Sequence, residues 1–91
     1  MIQLLCRNHV VDFDRWWSVF KSHADAHKAS GLILLKVWRD IEVANNVFFL
    51  FDVESVEKAK SFVSNPEAAE AGKQSGVIEG ELHFLSVADG Y

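Results

Sequence analysis

Two histidines four residues apart, His23 and His27, are the side chains of this 91-residue chain whose type and spacing best suit chemistry. On a helix, residues i and i+4 share a face, so the two imidazoles stand one turn apart. Imidazole titrates near neutrality, and either ring can take or give a proton at working pH. The pair can also fill two positions of a metal shell, with Cys6, His9 or His83 as a third ligand if the strand faces agree. Residues 23–27 read His-Ala-Asp-Ala-His, without the Glu that follows the first His of a zinc-protease helix. A plainer reading places both rings near a helix C-terminus, bonding its free carbonyls and opposing its dipole. All three readings stay open on the sequence, although no metal is assigned.

Asn8 is the next candidate. It ends a strand with Arg7 and His9, and polar groups at a strand end either point into a pocket mouth or mark the strand's emergence into solvent. Trp16 and Phe20 share a helical stripe with the histidines, so they are either core or the walls of an aromatic pocket. Cys6 is flanked by apolar residues and reads as a buried, inert thiol. No Ser-His-Asp arrangement is readable, and Gly72-Lys73-Gln74-Ser75-Gly76 lacks the preceding strand and spacing of a phosphate loop. Asp52 and Glu54 read as acidic groups at the start of the second helix, where they suit its dipole.

These side chains need a scaffold. Residues 2–11 alternate as a strand, with Ile2, Leu4, Cys6, Asn8 and Val10 on one face. Asp12 and Asp14 offer caps for a helix running to about Ala29, where Gly31 stops it. At 100° per residue Phe13, Trp16, Phe20, Ala24 and His27 line one side of that helix, with Val19 and His23 beside them. Strands follow at 32–39 and about 46–53, separated by turn chemistry at Ala44-Asn45-Asn46. Ser55 caps a second helix whose inward positions are Val56, Ala59, Phe62 and Val63. Asn65-Pro66 restarts a short helix closed by Gly72 and Gly76, and a last strand spans about 81–87. The order βαββαβ, with an extra short helix before the last strand, predicts an α+β, ferredoxin-like antiparallel sheet with helices on one face. The whole chain, 1–91, reads as one domain.

A sheet covered on one face alternates apolar and polar residues. Leu32–Leu35 and Val47–Phe51 are instead apolar on both faces. Hydrophobic residues make up 49% of the chain, and three are Trp. So short a chain buries only about 60–65% of its unfolded surface. The second cover must come from outside, most simply a second copy packed sheet to sheet. A net charge of −4 gives no cationic footprint for nucleic acid or an anionic membrane. No apolar run nears the roughly 20 residues of a membrane span. The first seven residues lack a charged stretch before their apolar run, so no signal peptide is expected. The single cysteine fits a reducing compartment, and a cytoplasmic protein is expected.

The sequence resembles the dimeric α+β barrel superfamily, in which two ferredoxin-like sheets pair. The resemblance covers nearly the whole chain. It rests on the element order, the Trp/Phe-rich first helix, Gly31 before a strand ending Val37-Trp38-Arg39, and the Ser64-Asn65-Pro66-Glu67 restart. The superfamily includes antibiotic-biosynthesis-type monooxygenases, heme-degrading monooxygenases and some polyketide cyclases, and the chain looks most like small bacterial proteins labelled cyclase-like. Heme-degrading members use a first-strand Asn, a second-helix Trp and a His on the following short helix. Asn8 fits the first position, but Phe62 stands where the Trp belongs and Ala71 near the place of the His. Without an axial ligand that chemistry is not implied, and no cofactor is expected. The resemblance implies a homodimer, joined through its sheet faces, and a cofactor-independent monooxygenase- or cyclase-like activity on a small apolar or aromatic molecule. Asn8, His23 and His27 would then be catalytic, with Trp16, Phe20 and Phe62 binding the ligand. The alternative is a non-catalytic dimeric module that binds a small ligand or serves structure alone.

Overall fold

The computed structural model describes residues 1–89. Its elements run β1 (Ile2–Val10), α1 (Phe13–Ser22), α2 (Ala24–Ala29), β2 (Leu32–Arg39), β3 (Asn46–Val53), α3 (Val56–Val63), α4 (Pro66–Gln74) and β4 (Val77–Ser86). The strands form one antiparallel sheet in the order β2-β3-β1-β4. This is the expected ferredoxin-like α+β arrangement, with α4 as the extra helix before the last strand.

The alternation read along the first strand sets the two faces. Leu4, Cys6 and Val10 of β1 and Val47, Phe49, Phe51 and Val53 of β3 are buried beneath the helices. Their neighbours point the other way, in rows that cross all four strands. One row is Trp38, Phe48, Arg7 and Glu81; the next is Lys36, Leu50, Leu5 and His83. A bulge between Leu34 and Lys36 shifts the register of β2 and keeps Val37 opposite Phe49. Ile33, Leu35 and Trp38 remain 41–46% exposed.

The first helix departs from expectation. It is two segments, broken at His23, whose backbone (φ −98°, ψ 13°) lies outside the helical well. The cause is local. The Ser22 hydroxyl takes the Val19 carbonyl, and the His23 N–H, which would otherwise bond that carbonyl, donates to Phe20 instead. The break turns Ala24 out to solvent, so it leaves the buried stripe to which straight-helix geometry assigns it. Asp12 takes the N-cap position without a side-chain bond to the helix.

Ser55 and Asn65 cap their helices as expected, accepting from Lys58 N (3.2 Å) and Glu67 N (2.8 Å). Gly72 does not close α4 but lies inside it; the stop is Gly76, at φ +79°. Asp52 is likewise a strand residue rather than a helix-start group, and it accepts a 3.2 Å bond from Gln3 across the open face. The last strand starts at Val77, ahead of the expected residue 81. Glu79 and Glu81, poor strand formers, are held there by Arg7 of β1 at 3.3 and 2.8 Å.

Candidate functional site

A partly open cavity of about 580 Å³ lies between the helices and the covered face of the sheet. Its size comes from α4. The α4 segment lines it with Glu67 and otherwise with small residues: Ala68, Ala69, Ala71, Gly72 and, at the C-cap, Ser75. Ala26 of α2 adds another small group. The helices are thus held over the sheet without filling the gap. A volume of this size suits a small organic molecule, since ligand pockets span roughly 300–1,000 Å³.

The structure brings all six sequence-predicted residues, Asn8, Trp16, Phe20, His23, His27 and Phe62, to the wall of this one cavity. Trp16 is its floor. It is 1% exposed and stacks on Phe20 with ring centroids 4.7 Å apart, while Phe49 lies 5.3 Å away. The aromatic set then continues through His27. That imidazole sits 4.8 Å from Phe20, 5.3 Å from Phe51 and 5.5 Å from Phe62, tilted or edge-on to each. Burial among these rings, reinforced by the neighbouring His23, holds the His27 pKa below its ordinary value. At neutral pH the ring is therefore an uncharged base.

Asn8 points into the cavity because it shares the parity of Leu4 and Cys6 on β1. Its amide orientation follows from its neighbours: Oδ1 accepts from Trp16 Nε1 at 3.2 Å, and Nδ2 donates to the Arg7 carbonyl at 3.0 Å. One amide N–H is left for a ligand. Gly80 makes the room. It lies opposite Asn8 on β4, and a Cβ there would stand 2.6 Å from the Asn8 amide.

The other candidates disperse. Arg7 and His9 face the open side of the sheet, where Arg7 also donates to Asn46 Oδ1 at 2.8 Å. Its guanidinium holds the Glu81 carboxyl below the usual carboxylate range. His83 shares that side, mostly exposed and 3.9 Å from Glu81. The Cys6 thiol lines the cavity, but burial pushes its pKa up to about 12, so it stays protonated and unreactive. Among the described residues no three His, Cys, Asp or Glu side chains gather into a metal-ligand cluster. No helix there is long and apolar enough to cross a membrane.

Sequence reasoning missed Phe49, Phe51, Gly80 and the small residues of α4. Two of these signals were readable: Phe49 and Phe51 stand two apart on one strand, and small residues recur along α4. The role of Gly80 depends on strand register, which neither residue announces.

No protein-family profile matches the sequence, and no curated protein does. Solved structures do match the fold. A provisionally named antibiotic biosynthesis monooxygenase from Bordetella bronchiseptica superposes with a TM-score of 0.76, covering 96% of each chain at 16% identity. A variant of SnoaB, a cofactor-independent oxygenase from Streptomyces nogalater, gives 0.74 over 98% of this chain and 94% of that one, at 12% identity. An uncharacterized NIPSNAP domain protein from Burkholderia xenovorans gives 0.67 over 97% and 95%, at 11% identity. The fold is the one implied by the resemblance noted from the sequence.

Proposed function

We propose that this protein, which shares its fold with monooxygenase-like structures, is a cofactor-independent monooxygenase- or cyclase-like enzyme acting on a small apolar or aromatic molecule. The observation that supports the reading is the cavity itself: a gap of about 580 Å³, walled by aromatic rings and holding an uncharged imidazole and a fixed amide. A merely structural helix–sheet seam has no need of the small residues on α4. The fold relative that is a cofactor-independent oxygenase supports the same class of chemistry.

Oxygenation without a cofactor draws its electrons from the substrate. Removing a proton from a phenol or an enolisable C–H leaves an anion rich enough in electrons to reduce dioxygen, so the protein's share is to take the proton in a dry enclosure. His27 suits that task. It is uncharged at neutral pH and ringed by Phe20, Phe51 and Phe62. His23, at the helix break, stands beside it to accept or return the proton. The spare Asn8 N–H binds the developing oxyanion, and Trp16 holds the amide in place. Trp16, Phe20 and Phe62 sandwich the flat substrate body. An intramolecular aldol ring closure would use the same base and donor, which is why a cyclase shares the assignment.

The active unit is a homodimer joined through the open sheet faces, in the cytoplasm, where the free Cys6 stays reduced. The test is turnover of an aromatic quinol under air, followed by absorbance and oxygen uptake. A folded His23→Ala/His27→Ala variant is expected to lose about 10²–10⁴-fold in rate. Equal turnover by the two proteins would sink the assignment. Quinol binding without turnover in the wild type would leave the non-catalytic binding module in its place.

A further inference from the structure

Beside the main cavity lies a second one of about 470 Å³, at the β2 edge of the helix–sheet layer. Phe20, His27 and Leu32 belong to the walls of both, so the two are separated by a single layer of side chains. The second cavity differs in its rim. Trp17 and Lys21 contribute to it from α1, and Ala24 and Lys28 from α2, on either side of the His23 break. Leu32, Ile33 and Leu34 of β2 form the opposite wall.

The two lysines are the only charged groups in this wall. Both are exposed, and Lys21 Nζ lies 5.3 Å from the centre of the Trp17 ring. Among the described residues neither forms an ion pair. Asp25, one turn from each along the helix, takes no part in the wall and makes no salt bridge with them. Two unpaired cations at the rim of an apolar recess stand out in a chain whose net charge is −4. A carboxylate would meet two ammonium groups while its apolar body lies on Trp17 and Phe20.

We infer that the second cavity is a docking site for a carboxylate, and that the substrate is an aromatic or apolar acid whose body lies against Trp17, Phe20 and His27. The inference rests on the proposed enzyme reading for the word substrate, but its binding geometry stands without turnover. It also divides the labour: the lysines hold the acid group, and the body lies beside His27, which lines both cavities.

Equilibrium titration with 2-naphthoate and its neutral counterpart 2-naphthamide tests the inference. The wild type is expected to bind naphthoate about three- to tenfold more tightly at low salt, the scale of two exposed ion pairs, and to lose that margin as salt screens them. Lys21→Gln/Lys28→Gln should equalise the two affinities with naphthamide binding unchanged. Lys58→Gln/Lys73→Gln removes the same charge from α3 and α4, outside both walls, and should keep the preference. Equal affinities in the wild type, a preference that survives Lys21→Gln/Lys28→Gln or vanishes in the control, or failure of both probes to bind would each overturn the inference. If the lysine dependence holds while quinol turnover ignores the histidines, the enzyme reading falls and the carboxylate site stands.

Discussion

The two faces of the sheet handle the same apolar excess in opposite ways. On the covered face Leu4, Cys6, Val47, Phe49 and Phe51 are buried, yet the small side chains of α4 leave a cavity above them. On the open face Leu5, Phe48 and Leu50 stand uncovered by any element of the chain, but several of the polar residues among them are already paired. Gln3 bonds Asp52, and Arg7 bonds Glu79, Glu81 and Asn46. The difference is instructive. A void lined by rings and a minority of polar residues (Asn8, His23, His27, Glu67, Ser75 and Glu81) suits a small molecule, because it has volume to fill and few groups to satisfy. A flat face whose central charges, those of Arg7, Glu79 and Glu81, are paired within the chain suits another protein surface, with Lys36 at its edge left to find a partner.

The largest effect expected from this contrast is at the cavity floor. Trp16→Ala should cost about 3–5 kcal/mol in urea unfolding, as for other buried aromatic truncations, because it also leaves the Asn8 amide without its indole donor. If the loss is under about 1 kcal/mol, the covered face is not held together by its aromatic set. Next comes the open face. Leu50→Lys places a charge in the middle row, beside Leu5 and Lys36, and should weaken self-association by at least about tenfold in sedimentation, with little effect on the folded protomer. A wild type that sediments as a monomer at all concentrations would remove that face as an interface and collapse the comparison.

The smallest effect is the pH response of His27. Its folded pKa lies below its unfolded value of 6.5, so the unfolded chain binds more protons in the window between them. The stability contributed by the neutral ring is complete above 6.5 and is lost as pH falls through the lower folded value. His27→Leu should flatten that part of the stability–pH curve, measured against the wild type by thermal unfolding across pH 4–8. Unchanged pH dependence would mean that the aromatic enclosure does not hold the ring neutral.

Much of the site was legible before any coordinates. Asn8 was placed by strand parity, and Trp16, Phe20 and His27 by helical spacing, because both signals depend only on neighbours along the chain. The same reasoning failed at Ala24, where a straight helix was assumed and Ser22 competes for the backbone instead. It also placed the start of β4 at residue 81, late by four, because Glu79 and Gly80 read as poor strand residues until β1 and Arg7 are found beside them. Both misses come from a side chain acting on a neighbouring segment, which periodicity does not record.

Alternation and helical spacing are properties of the covalent chain, and they were sufficient to decide the element order, the inward faces and the presence of more apolar surface than one copy can bury. Tertiary structure decided where empty space remains. That depends on α4 presenting Ala68, Ala71, Gly72 and Ser75 to the same gap into which Phe62, His27 and Asn8 project from three other elements. A cavity is a property of what several segments fail to fill together. No single segment's pattern contains it.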